Sequence, residues 1–361
     1  MIVIGAADDG ALGVADRALV RAVGSGCRRR AGLLLPVLLV ALAVLVVVLV
    51  ASILTGSRPI DLPTGLQAFT AYDSTNVDHV VVRAYRVPRA LLGLLCGSAF
   101  GVAGALIQAM TRNPLADPGL LGVNAGAAFF VTLAVGVFGW HSICAYMWFA
   151  LLGAMTVATL VYAIGTVGRG GAEPVRLILA GVALSAVLGG LSMSISLIDP
   201  TTFNGMRHWA IGSMGGRDMT VVLTAAPVIL LGLVLAVAVA GSLNAMALGD
   251  DLAQAFGTRL SHLRIVVVLA VTLLAGGATA AAGPITFIGL MVPHAVRLLT
   301  GPDQRWIIAF TIVLSPILLL LADLVGRFVL YPDELEAGIL TACIGAPVLI
   351  LLARRGGAMA P

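Results

Sequence analysis

Ten apolar runs follow one another along the chain, at roughly 33–54, 88–110, 118–138, 144–167, 175–198, 219–240, 264–282, 285–299, 306–330 and 336–353. A hydrocarbon layer takes about 20 apolar helical residues to cross, and a backbone inside it must satisfy its own hydrogen bonds. The pattern therefore predicts an all-α integral membrane protein of ten transmembrane helices. The eighth run is the shortest. It divides the chain into a tail at 1–32, a ten-helix domain at 33–353 and a tail at 354–361. An even number of spans returns both termini to one side. Seven arginines, Arg58, Arg83, Arg86, Arg89, Arg207, Arg217 and Arg327, fall on one side, and the other fourteen fall on the opposite side. Positive charge favours the cytoplasm, so both termini are expected there. Arg28-Arg29-Arg30 precede an apolar run too long for a signal-peptide core, with no small-residue cleavage site after it.

Composition agrees with the pattern: 60% of residues are hydrophobic and 11% charged, and the mean hydropathy is +1.08. All 21 basic residues are arginine. A P-loop needs its lysine, so a transporter of this sequence would draw ATP hydrolysis from a separate subunit. Acidic residues hardly enter the middle of the runs, where ion-coupled carriers keep their relays. Asp323 is the exception, and Arg327 stands one helical turn further on, at the spacing of an intrahelical pair. Cys27, Cys96, Cys144 and Cys343 show no metal-ligand spacing. No His-Glu, Ser-His or paired-Asp constellation suggests intramembrane enzymology. No cofactor, catalytic residue, metal site or nucleic-acid partner is expected.

The corner after the second run carries the most information. Gly93, Gly97 and Gly101 recur every four residues and Ala105 continues the row, leaving one helical face nearly bare for another helix. Asn113-Pro114 stops that helix, and Asp117-Pro118 starts the next, Asp as N-cap and Pro at the first position. Only Leu115, Ala116 and Asp117 separate the prolines. The corner reads either as a tight hairpin or as a fixed constriction at the mouth of a pathway. At the opposite end, Arg83, Arg86 and Arg89 form a positive cluster on the side that usually avoids one.

These segments closely resemble the FecCD-type permeases of ABC importers for iron-siderophore complexes, haem and vitamin B12. The resemblance runs from about residue 33 over RVPR (86–89), NPLADPGLLGVNAGA (113–127), RLILAGVALS (176–185), ALGDDLAQAFG (247–257), AGPITFIGLMVPHAVRLLTGPDQR (282–305), LLLADLVGRF (319–328) and ELEAGILTACIGAPVLILL (334–352). It implies the type II importer fold, with a second permease subunit, self or paralogue, around a central pathway. It also implies two cytoplasmic ATPase subunits, which bind the ATP, an external binding protein or lipoprotein, and a bacterial plasma membrane.

By the same resemblance, Arg86, Arg89 and Arg327, with Arg83 beside them, pair with carboxylates of the docked binding protein, for which a guanidinium offers a bidentate fork. Snorkelling at a helix end is the plainer alternative. Asn113 and Leu115 match an inner gate. A second gate element falls on Glu173, Pro174 and Val175, where the vitamin B12 permease has small hydroxyl residues. Segment 247–257 resembles a coupling helix that seats on the ATPase: Leu248-Gly249 breaks the span, Asp250-Asp251 caps, and Leu252, Ala255 and Phe256, before Gly257, form an apolar face. Such a face outside the membrane calls for a protein partner, and its excess of acid disfavours a lipid surface.

Arg207 and Trp209 in the outer loop could face a bulky anion, or could anchor at the interface with Arg217. His294 reads as a packing residue with its hydrogen bonds met, and Ser192, Ser194 and Ser196 decide nothing. WAIGSMGG (209–216) looks more like siderophore permeases than the B12 branch. A ferric siderophore is thus the first cargo, with haem or vitamin B12 behind it, and an ion-coupled carrier remains the alternative class.

Overall fold

The computed structural model describes residues 9–56, 58–140, 142–166, 174–199, 209–255, 257–330 and 333–356. Every apolar run folds as helix: α1 (Asp9–Leu54), α4 (Val87–Thr111), α5 (Val123–Gly136), α6 (Ile143–Thr166), α7 (Pro174–Ile198), α8 (Met219–Ala247), α10 (Leu260–Ala282), α11 (Ile288–Thr300), α12 (Gln304–Val329) and α13 (Ala337–Gly356). Three short helices, α2 (Leu62–Thr70), α3 (Val77–Val81) and α9 (Asp250–Ala255), lie in the connections. Among the described residues there is no strand. Among the described residues seven helices are long and apolar enough to cross a membrane, and three shorter apolar ones make up the ten expected. The chain divides into two compact units, Met1–Val44 and Leu45–Pro361. The first is helical from Asp9 onward, and all that follows concerns the second.

Helix α4 sits at the centre because its side chains are small. Across the stretch that contains it, 83% of the most apolar window is buried, as is 83% of the window in α10, against 6% in α7. A Cβ added at Gly97 would come within 2.5 Å of Pro316 Cα, and one at Gly93 within 2.5 Å of Leu320 Cδ2. Gly101 lies against Ser315, and Gly104 against the backbone of Gly289. The predicted glycine face therefore receives α12, and α11 approaches at Gly104 beside it. Without a hydrophobic driving force between helices in lipid, close backbone approach supplies the packing. A second pair works the same way, Gly126 of α5 facing the carbonyl of Gly153 in α6 at 2.5 Å from an added Cβ.

Two boundaries differ from the sequence pattern. The third run does not become helical at 118: Pro118–Leu121 make one 3₁₀ turn, Gly122 takes φ +73°, and α5 starts at Val123. A Cβ at Gly122 would stand 2.8 Å from Val157, so α6 presses on the chain where it kinks. The eighth run keeps only the 13 residues of α11, about 20 Å of helix. Its first residues, 285–287, are not helical, and Phe287 takes the left-handed conformation at φ +69°.

The backbone on either side of that segment is bonded to neighbouring loops. Ser213 N–H donates to the Ala282 carbonyl at 2.8 Å, and Gly338 N–H to the Gly212 carbonyl at 3.1 Å. Added Cβ atoms at Gly283 and Gly338 would strike the carbonyls of Trp209 and Ile211. Three chain segments thus cross with backbone against backbone.

Candidate functional site

Where α4 begins, Pro88 removes a backbone donor, and the preceding turn, Val82–Arg86, is wound as π-helix. That wider turn sets neighbouring arginines on different sides. Arg83 is exposed, its guanidinium 4.5 Å from the centroid of the Tyr72 ring, a cation–π distance. Arg86 is only 7% exposed. Its Nη1 donates to the carbonyls of Ile53 at 3.0 Å and Leu54 at 2.7 Å, and its Nη2 to that of Arg58.

Arg327, 3% exposed, reaches the same place from α12. Its Nη1 donates to the carbonyls of Ser52 and Thr55, both at 2.7 Å, and its Nη2 to Ser52 Oγ at 3.0 Å. The Ala51 carbonyl accepts from Thr55 N–H at 2.9 Å and Thr55 Oγ1 at 2.6 Å. Two arginines therefore cap the C-terminal end of α1, whose last carbonyls have no partner within the helix and carry the negative end of its dipole.

Asp323 joins this cap to α4. Its Oδ2 accepts from Arg327 Nη2 at 2.5 Å, the i,i+4 pair expected from the sequence, and Arg89 Nη2 donates to its Oδ1 at 2.8 Å. Arg89 Nη1 donates to Glu334 Oε2 at 2.5 Å. In front of these groups lies an open cleft of about 340 Å³, walled by Arg58, Arg86, Arg89, Arg327 and Glu334, with Gly215 and Gly216 at its edge. Of its four guanidiniums, Arg89 and Arg327 are paired with Asp323, Arg89 also with Glu334, and Arg58 with Asp78.

The sequence expectation for Arg86 and Arg327 was an external carboxylate. In the structure their donors are turned inward, onto carbonyls and a carboxylate of the same chain. The ends of helices distant in sequence leave orphan acceptors that only these cations reach. Arg83 is exposed, whereas the Arg89 side chain is 16% exposed and its donors lie on Asp323 and Glu334. Trp209 is corrected in the same sense: at 2% exposure it is one of the largest buried side chains and does not face a ligand. Arg217 is buried too, with Nη1 on the Tyr146 hydroxyl at 3.2 Å. Arg207 and Glu173 lie outside the described residues. Pro174 opens α7, and Val175 is exposed. His294 Nδ1 finds no hydrogen-bond partner among the described residues, contrary to a satisfied packing role. Ser192 and Ser194 bond back to the carbonyls of Leu188 and Gly190 in their own helix.

At its other end α4 closes in a Schellman motif: Asn113 N–H donates to the Gln108 carbonyl at 3.2 Å and Arg112 N–H to that of Ala109 at 3.4 Å. Arg112 takes φ +51°, in the place where glycine is usual. Asn113 Oδ1 then accepts from Leu115 N–H at 2.9 Å and fixes the turn. Asn113 and Leu115 are exposed, while Ala116 is buried. Asp117 Oδ1 caps Gly119 N–H at 2.8 Å, as expected, although the element it caps is the single 3₁₀ turn. Burial raises the Asp117 carboxyl above the usual carboxylate range, and the Gly119 N–H opposes that rise.

Beside this corner α8 ends, and Gly249 at φ +115° turns the chain into α9. Leu248, at the end of α8, and Leu252, within α9, are both exposed, whereas Ala253 is buried; Ala255 and Asp251 are exposed. Phe256 lies outside the described residues. Gly257 at φ +82° closes α9, with Thr258 N–H on the Ala253 carbonyl at 2.9 Å. Asp250 Oδ1 accepts from Arg112 Nη2 and its Oδ2 from Arg264 Nη2 at 2.7 Å, while Arg112 Nη2 also reaches the Met246 carbonyl at 2.7 Å. The sequence reading had Asp250 only as a cap. Its two arginines lie 138 and 14 residues away, a pairing that no local spacing announces.

Residues 44–355 match the FecCD transport family. The ferric enterobactin transport system permease protein FepD of Escherichia coli (strain K12) is 44% identical over 321 residues, covering 88% of this chain and 95% of that protein. The iron(3+)-hydroxamate import system permease protein FhuB of Bacillus subtilis (strain 168) is 38% identical, covering 84% of this chain and 79% of that protein. Among solved structures, a metal-chelate type ABC transporter in an inward-facing conformation superposes with a TM-score of 0.78 at 27% identity, over 89% of this chain and 99% of its own.

Proposed function

The chain belongs to the FecCD transport family, and from that premise we propose that it lines the pathway of an ATP-driven importer for a ferric siderophore. It is a multi-pass membrane permease subunit. The observation that carries the cargo is the 44% identity to the ferric enterobactin permease, sustained over 95% of that protein.

The loaded binding protein docks on the arginine-bearing face. Arg83 offers its guanidinium to the partner's carboxylates, Arg89 exchanges Glu334 for one of them, and Arg86 and Arg327 hold the rim in shape by capping α1. Charge at such a rim steers and orients a partner more than it tightens the complex. At the opposite, cytoplasmic end, Asn113 and Leu115 with residues 173–175 close the pathway, which a second permease subunit, self or paralogue, completes. Leu248 and Leu252 seat α9 in a groove of the ATPase. ATP is bound and hydrolysed by that partner, whose closure moves α9 and opens the corner. Both termini then lie in the cytoplasm of a bacterial cell.

The test is uptake of ⁵⁵Fe-labelled ferric enterobactin into proteoliposomes that hold the permease with and without its ATPase, the binding protein being supplied outside. Iron should accumulate only when ATPase and ATP are both present. Uptake that persists without the ATPase would mean an ion-coupled carrier.

A further inference from the structure

We propose that Arg112 and Asp250 transmit the movement of the ATPase-facing helix to the inner gate, as a charged tie between α9 and the corner of Asn113 and Leu115. The inference rests on the roles given above to α9 and to that corner.

The tie is short and direct. Arg112 Nη2 holds both the Met246 carbonyl at 2.7 Å and Asp250 Oδ1, so it grips the last turn of α8 and the first residue of α9 together. The residue after Arg112 is Asn113, whose side chain fixes Leu115 at 2.9 Å. A displacement of the guanidinium is thereby applied to the residue that begins the gate turn.

The backbone of Arg112 argues the same way. At φ +51° it occupies the glycine position of a Schellman motif. Glycine would suit that conformation better, so the side chain is what the position retains. Helix α9 is flanked by Gly249 and Gly257, where an added Cβ would meet nothing within 4 Å. Open left-handed glycines on both sides let the helix swing as a piece. Asp250 keeps its second oxygen on Arg264, which anchors it to α10. The tie to Arg112 is 46% and 40% exposed on its two sides. A screened pair of this kind breaks and reforms at low cost, as a cycle requires.

The experiment uses the permease–ATPase complex in nanodiscs, with Leu115→Cys as the reporter and Cys27, Cys144 and Cys343 replaced by alanine. Maleimide labelling of the reporter is timed with and without ATP, and hydrolysis is measured on the same sample. ATP should change the labelling rate about tenfold, a coupling of ordinary size; Arg112→Gly should bring that ratio near unity while hydrolysis stays within about twofold, and Asp250→Asn should bring the ratio down in the same way. Arg112→Gly suits the backbone and should keep the fold. Arg112→Lys should restore part of the response, and Arg264→Ala should leave it intact.

A full ATP response in Arg112→Gly would overturn the tie. So would an equal loss in Arg264→Ala, which would make Asp250 a static anchor. A native complex whose Leu115→Cys reporter ignores ATP would instead overturn the gate assignment, and the tie with it.

Discussion

Arg89 of α4 meets Asp323 of α12 edge-on: its Nε lies 3.1 and 3.0 Å from the two carboxylate oxygens, and its Nη2 lies 2.8 Å from Oδ1. The pair spans 234 residues of sequence and joins two helices already in contact through glycine. Asp323 is also the counter-ion of Arg327.

Asp323→Ala should therefore leave Arg327 without a carboxylate and Arg89 with Glu334 alone. Removing one partner of a buried pair costs about 3–5 kcal/mol, and thermal unfolding of the purified permease in detergent should show a large fall. Glu334→Gln removes an acid that is 37% exposed, where a pair is worth about 0–1 kcal/mol. Its melting curve should stay close to the native one.

Gly97→Ala places a methyl group where Pro316 Cα already stands. Overpacking of this kind costs about 1–3 kcal/mol, and the melting temperature should drop accordingly. Gly190 of α7 has nothing within 4 Å of an added Cβ, so Gly190→Ala should be neutral or stabilising by up to about 1 kcal/mol. A ranking in the opposite order would contradict the packing of α4 on α12.

The arginine rim divides into two kinds of residue. Arg83→Glu should weaken binding-protein association in a surface-plasmon measurement and leave the melting temperature unchanged. Arg86→Ala should lower stability by about 1–3 kcal/mol, because the carbonyls of Ile53 and Leu54 lose a buried donor. Arg86→Lys should restore little of it, since an ammonium lacks the fork that reaches several carbonyls at once.

Leu248→Asp with Leu252→Asp should abolish co-purification of the ATPase without affecting the fold of the permease alone. Both side chains are exposed. Retention of the ATPase would place the coupling surface elsewhere.

What could be read from the sequence was local in nature. A four-residue recurrence of glycine announces a bare helix face, and α4 presents it to α12. Asp117-Pro118 announces a helix start, and Asp117 caps as expected. Asp323 and Arg327 announce their pair by spacing. The hidden parts depend on distant partners. Nothing near Arg86 says that the last carbonyls of α1 will lie within its reach, and nothing near Arg112 says that Asp250 will lie within its own. Trp209 misleads because a tryptophan beside arginines resembles an interfacial anchor, whereas its surroundings are set by the loops that close over it. The late start of α5 follows from Val157 pressing on Gly122, a contact between helices that no single run contains.

The place where Gly212, Gly283 and Gly338 meet has a bearing on how such a permease can change. Backbone rests on backbone there, so no residue can be enlarged and no loop lengthened without parting three segments at once. Helix α7, by contrast, is almost wholly uncovered within the chain and tolerates new side chains. Descendants of this sequence that acquire a different cargo should therefore have altered their open helices and inherited the glycine junction intact.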